Sequence, residues 1–223
     1  MAYELDHLFV WTAVGAPEAE RLIAFGLTEG TPNIHPGQGT ANRRFFFRNA
    51  FLELVWVHDP QEAQSEAVRR VRLWEHWSGR ISSTCPFGLI FRPAGQEAGK
   101  PPFSTWEYRP PYLPEPLCLE VGTNADIFTE PLLFYMAFGR RPEALRQAQP
   151  QPLEHAAGVR EITRLHLVSP HGGRPSAELR AIVDAGLVSL EAGSRYLLEI
   201  GFDGEAQGRV ADFQPALPLV FRW

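Results

Sequence analysis

The feature that most constrains this chain is a near-repetition of its first quarter in its last. "LDHLFVW" returns as "RLHLVSP", with His166 falling where His7 falls. "PEAERLIAFGL" returns as "PSAELRAIVDAGL", a helix opened by proline and closed by glycine and leucine. "FLELVWV" returns as "YLLEIGF", which sets Glu199 against Glu53. From His7 to Leu27 and from His166 to Leu187 the separations are 20 and 21 residues. From those leucines to the glutamates they are 26 and 12, so the second copy lacks a stretch. Likeness in type, order and spacing predicts a duplicated unit of strand, helix and further strands, an α+β fold.

Local signals fill in the unit. Pro17 suits a first helical turn, Glu18 and Glu20 its positive end, and Gly26 its C-terminal cap. "RRFFFRNAFLELVWV" reads as two strands joined by a turn at Arg48-Asn49. Asp59 and Glu62 have capping-box spacing around Pro60, and Ala63, Ala67, Val71 and Trp74 predict one apolar stripe on a second helix. The middle of the chain reads as short strands broken by prolines. Residues 140–159, polar and proline-punctuated, read as a linker.

Bulk properties narrow the function classes. A net charge of −5 without a basic block argues against nucleic acid as a partner. No apolar run reaches the ~18 residues of a membrane span, and "MAYELDHLFVW" lacks the features of a signal peptide. Cys85 and Cys118 form no metal or disulfide pattern. A soluble cytoplasmic protein is the expectation.

Alternation places His7 on one strand face with Leu5, Phe9 and Trp11, and Glu53 with Phe51, Val55 and Val57. A carboxylate among apolar neighbours is costly unless a cation or donors compensate it. A histidine and a glutamate supplied twice, His7 with Glu53 and His166 with Glu199, would give four ligands for one divalent ion. The plainer alternative is a packed histidine, with a glutamate paired to Arg43, Arg44 or Arg48. Ser82 and Ser83 lack a histidine-acid context, and no G-x-S-x-G, H-E-x-x-H or Walker pattern occurs. Trp106, Tyr108 and Tyr112 in "TWEYRPPYLP" are candidates to line a pocket; among them Trp106 is taken as a ligand contact. "NIHPGQGTANRRF" feeds a strand and lacks a following lysine, so it is no phosphate loop. Gly37 and Gly39 suit a tight turn with positive φ. The C-terminal copy lacks this stretch, which marks His35 and Asn42 as substrate contacts at a cavity rim.

The order of an "LDH" strand, an amphipathic helix and strands ending in "LEL" resembles the vicinal oxygen chelate superfamily. That superfamily includes glyoxalases, extradiol dioxygenases and bleomycin-resistance proteins. The "HPGQGTAN" loop ahead of "FLEL" is similar to its glyoxalase-like branch. The resemblance implies βαβββ modules whose curled mixed sheets enclose a cavity, with metal ligands on the first and last strands; His7 and Glu53 match such positions. It implies a first module over 1–80 with a trailing helix and a second, irregular strand-rich module over 81–139, from "FGLIF" to "CLEV". A shortened βαββ copy over 160–223 follows the linker. "FGLIF" offers no ligand, whereas Glu120 of "CLEV" sits at a matching place; the site of the first module would be completed either by Glu120, facing the substrate, or by His166 and Glu199 of the C-terminal copy. Two functions are implied. One is a lyase, isomerase or dioxygenase using zinc, nickel, manganese or iron to polarise a substrate oxygen, with Glu53 doubling as general base. The other is a metal-free protein that sequesters a small molecule. Exposed strand edges make a homodimer reasonable.

Overall fold

The computed structural model describes residues 2–81, 84–95, 99–145 and 150–223. Ser82, Ser83 and residues 146–149 of the expected linker lie outside the described residues. The first quarter forms β1 (Tyr3–Trp11), α1 (Ala19–Phe25), β2 (Asn33–His35), β3 (Thr40–Phe46) and β4 (Phe51–Val57). Gly26 closes α1 with φ +110, its amide donating to Ile23 and Leu22 carbonyls, as the sequence predicts. The turn between β3 and β4 also falls as expected, with the Phe47 amide donating to the Ala50 carbonyl at 2.8 Å.

The second helix does not run as one piece. It splits into α2 (Pro60–Ala63) and α3 (Leu73–Gly79), with a 3-10 turn at Arg69–Val71 between them. Arg72 breaks the path at φ +63. Ala63, Val68, Val71, Leu73 and His76 are the residues buried, at spacings no single helix face provides, while Ala67 is exposed. β5 (Phe87–Pro93), β6 (Thr105–Tyr108), β7 (Leu119–Gly122) and β8 (Leu132–Tyr135) follow.

These eight strands form one mixed sheet in the order β2-β3-β4-β1-β5-β8-β7-β6. β1 and β5 meet antiparallel at its centre. Outward from that seam the two halves share one pattern: a parallel pair, β1 with β4 and β5 with β8, and then two antiparallel steps. Gly88 on β5 is required by this seam, because a Cβ there would meet the Phe9 ring at 2.0 Å.

Residues 160–223 build a second sheet from β9 (Ile162–Ser169), β10 (Ser189–Ala192), β11 (Leu197–Phe202), β12 (Val210–Asp212) and β13 (Leu219–Arg222), with α4 (Ala177–Asp184) after β9. Its order is β10-β9-β11-β13-β12. It repeats the pairing of the five strands β4-β1-β5-β8-β7, with β9 in the place of β1 and β11 in the place of β5. Leu165, Leu167, Leu198, Ile200 and Phe221 pack with Leu8, Val10, Leu52, Leu54, Leu89 and Leu133 in one core between the sheets. The C-terminal sheet therefore covers the back of the first. The stretch expected as a linker packs closely in its described part: His155 is buried, accepts the Thr28 amide at 3.0 Å and donates to the Phe46 carbonyl at 2.8 Å. No described helix is long and apolar enough to cross a membrane.

Candidate functional site

The front of the eight-stranded sheet holds a cleft of about 210 Å³. Its floor comes from alternate residues of the central strands: His7, Phe9 and Trp11 of β1, Phe51, Glu53 and Val55 of β4, Ile90 of β5 and Phe134 of β8. His35, Gln38, Thr40 and Arg44 form one wall, and Tyr112, packed against His35, and Leu113 complete it.

β1 does not alternate throughout. Its register with β5 shifts between Leu5 and His7, so Asp6 sits in a bulge. Leu5 consequently packs into the core behind the sheet, whereas His7 stays in front with Phe9 and Trp11. This corrects the expectation that Leu5 shares the face of His7. The bulge has a chemical result: Asp6 Oδ1 accepts directly from His7 Nδ1 at 2.7 Å. Arg92, itself buried, donates to Asp6 Oδ2 at 2.9 Å and to Glu4 at 3.0 Å. Because a carboxylate only accepts, His7 carries its proton on Nδ1 when neutral and presents Nε2 as its basic atom. The ring is held flat on Phe51 at 4.3 Å between centroids.

Glu53 faces that atom, its Oε2 standing 3.9 Å from His7 Nε2. Asn42 Nδ2 donates to Glu53 Oε1 at 2.8 Å, and Asn42 Oδ1 accepts the Asn33 amide at 2.9 Å. Burial pushes the Glu53 carboxyl above its usual range, and the nearby His7 and Arg44 oppose that only in part. His35 accepts or donates at Nδ1 to Thr40 Oγ1 at 2.8 Å and stacks near Tyr112 at 4.6 Å. Burial, with Arg44 and His7 nearby, lowers the His35 pKa to about 4, so the ring is neutral at pH 7. Thr40 Oγ1 also accepts from Gln38 Nε2 at 2.9 Å, and Tyr108 donates to Gln38 Oε1 at 2.9 Å.

The loop between β2 and β3 is fixed from below. Gly37 and Gly39 adopt φ +77 and +75, as their glycines predict. Glu62 does not close a capping box; its Oε2 instead accepts the Gly37 and Gly39 amides at 2.8 and 3.1 Å. Asp59 alone caps α2, accepting from the Gln61 and Glu62 amides. A backbone nest thus takes the carboxylate that the sequence assigned to the helix.

The structure brings His7, Glu53 and His35 together in the cleft; Asn42, expected at its rim, is instead fully buried and holds Glu53 from behind, and the other four expected residues lie elsewhere. Glu120 lies on β7, bonded to Thr105 at 2.7 Å, and is no part of the cleft wall. "CLEV" is not the last strand of its half. β8 pairs parallel with β5 as β4 does with β1, and it brings Phe134 forward instead of a carboxylate. Trp106 stacks under Arg70 at 4.0 Å, outside the cleft. Tyr112, from the same aromatic cluster, is the residue that lines it.

His166 and Glu199 point away from the core that joins the two sheets and do not meet His7 and Glu53. Glu199 is neutralised by Arg222 at 2.8 Å and Arg164 at 3.5 Å, and the Arg222 hydrogen bond leads in lowering its pKa. The topological counterpart of Glu53 is Glu191. Phe9 stands opposite Glu53, two residues past His7; Val168 stands opposite Glu191, two residues past His166. Glu191 Oε2 lies 3.2 Å from His166 Nε2 in an exposed copy of the cleft pair. The "LE" of "SLEA" carries that signal in the sequence, masked by the stronger likeness of "YLLEIGF".

Among the described residues no group of three or more His, Cys, Asp or Glu side chains is arranged to hold a metal ion. The cleft converges two donors, His7 Nε2 and Glu53 Oε2, against the three of catalytic zinc sites. This donor set does not fit a divalent ion unaided.

The chain is thus an α+β protein whose mixed sheet carries a histidine–carboxylate pair on the floor of a front-face cleft. Residues 5–112 match the family model described as a glyoxalase-like domain, a family of the vicinal oxygen chelate superfamily. A crystal structure of a hypothetical protein from Staphylococcus aureus is similar at 10% identity and TM-score 0.49, covering 100% of this chain and 99% of that one. The curated proteins contain no match.

Proposed function

We propose that the cleft is the active site of an isomerase or lyase that moves a proton on a compact carbonyl compound without a metal ion. The observation that carries this reading is Glu53: a buried carboxyl with a raised pKa, one oxygen held by Asn42 and the other facing His7 Nε2. A carboxyl of raised pKa in a cleft suits general acid–base work near neutral pH. Ionised Glu53 would take a proton from carbon next to the carbonyl, and the C–H electron pair would pass to the carbonyl oxygen. Tyr112 and neutral His35 line the cleft where such an oxyanion can be met by a donor. Return of the proton at the neighbouring atom completes an isomerisation, with His7 relaying it from Glu53. The apolar floor of Phe9, Trp11, Phe51 and Phe134 excludes water and suits a partly apolar substrate. The matching pairings on the two sides of the β1–β5 seam support reading 1–80 and 81–139 as paired modules that share this cleft.

A second reading, sequestration without turnover, draws support from the same apolar floor. Solvent deuterium exchange into a panel of small ketones, aldehydes and 2-oxo acids, followed by NMR, separates the two. Catalysis predicts exchange that falls about 10²-fold or more in Glu53→Gln and survives chelation by EDTA. Saturable binding without exchange would establish sequestration, and loss of exchange on chelation would restore a metal to the mechanism.

A further inference from the structure

Arg44 is the charged group in the cleft that the proton-transfer reading leaves unused. It lies on β3 directly opposite Glu53 on β4, and strand alternation brings both to the front face. Yet the two do not pair: Glu53 is taken by Asn42 and faces His7. The Arg44 Nε donates to the Thr31 carbonyl at 2.8 Å, and the guanidinium lies 5.1 Å from the Phe46 ring centroid. These contacts fix the plane of the guanidinium and leave its two terminal nitrogens without a carboxylate among the described residues. Most of its arginine neighbours are matched: Arg43 pairs with Glu29 and Glu20, and Arg48 with Glu154. A partly buried cation that lines a cleft, unmatched and pre-oriented, is a recognition group for an anion.

We propose that Arg44 anchors a carboxylate, and that the natural ligand of the cleft is a compact monocarboxylic acid with an apolar or aromatic body. The inference rests on the cleft being the binding site of the proposed function and adds the substrate class. Two free terminal nitrogens suit the two oxygens of one carboxylate. A phosphate ester suits the site less, because a second negative charge would face Glu53 with no further cation to offset it. The cleft of about 210 Å³ is below the ~300 Å³ at which drug-sized pockets begin, which limits the body to about one ring or a short branched chain. Phe9, Trp11, Phe51 and Phe134 provide the surface for that body.

The test compares acids with their neutral amides. Benzoate, phenylacetate and 3-methylbutanoate, each against its amide, are titrated by calorimetry, with intrinsic tryptophan fluorescence as a second readout. The wild-type protein should bind at least one acid about tenfold or more tightly than its amide. Arg44→Gln should abolish that preference while leaving amide affinity within about twofold, and Arg44→Lys should keep part of it. Folding of each variant is checked by circular dichroism, and the acid-to-amide ratio is measured within each variant, so a general loss of stability cannot imitate the result. Equal affinity for acid and amide, an unchanged ratio in Arg44→Gln, or no saturable acid binding across the panel would overturn the proposal. Glu53→Gln separates the two readings: it should abolish exchange yet keep, or strengthen, binding of the acids. Exchange that fails while the acid preference holds defeats the catalytic reading alone.

Discussion

At the residue scale, Glu53 combines a stability cost with the role proposed for it. Its pKa is raised by burial, so the folded protein holds that proton more tightly than the unfolded chain does. The stability attached to the neutral form is full below the unfolded carboxylate pKa and is lost as pH rises through the folded one. Glu53→Gln should therefore be more stable than wild type near pH 8 and equal to it near pH 4. Thermal melts across that range would read the difference as about 2–4 °C for each kcal/mol; equal melting temperatures at pH 8 would show that Asn42 and His7 fully compensate the charge. His35 and His76 act in the opposite sense. Burial lowers each pKa to about 4, so the stability they contribute is present above pH 6.5 and is lost as pH falls toward 4. Acidification across that window should cost on the order of a few kcal/mol, visible as a falling urea midpoint. A flat midpoint between pH 6.5 and 4.5 would contradict the burial of both rings.

At the element scale, the bulge in β1 decides where the chemistry points. It takes Asp6 out of the ladder, sets it against His7 Nδ1, and requires Arg92 to neutralise it from behind. Removing Arg92 would leave Asp6 buried without its cation, at a cost of about 3–5 kcal/mol. Arg92→Met should destabilise by that order, and Asp6→Asn combined with Arg92→Met should cost less than the two single changes summed. Additive costs in this double-mutant cycle, measured by denaturant unfolding, would separate the two groups energetically. The sequence made β1, α1, the β3–β4 turn and the glycine turn legible, because each rests on local rules of alternation, capping and positive φ. It did not reveal the bulge, since Asp6 and His7 obey alternation on paper. It misassigned Glu62 for a related reason: capping-box spacing is a local signal, and the Gly37–Gly39 nest that captures the carboxylate is remote in sequence.

At the scale of the whole molecule, the two sheets share one core, and the cleft lies on the other side of the first sheet. His166 and Glu199 therefore belong to a different face from His7 and Glu53. His166→Ala and Glu199→Ala should leave affinity at the cleft within about twofold in the same calorimetric titration, and each should cost no more than ~1 kcal/mol as an exposed or half-exposed contact. A tenfold loss of affinity in either variant would place the C-terminal copy in the site after all.

The amino-acid order by itself determined the strand–helix–strand order of the first quarter, the likeness of the last quarter to it, and the pairing of a histidine with a glutamate near the sheet centre. Those rest on periodicity and spacing, which are properties of neighbours along the chain. Tertiary structure alone decided which glutamate is partner to which histidine. Glu191, not Glu199, is the counterpart of Glu53, because β10 takes the parallel place beside β9 and β11 runs antiparallel on its other side. It also decided that Arg44 stands in the cleft without an ion-pair partner among the described residues, since that depends on Asn42 holding Glu53. Residue type fixes what a side chain can do; strand order and facing fix which groups it meets.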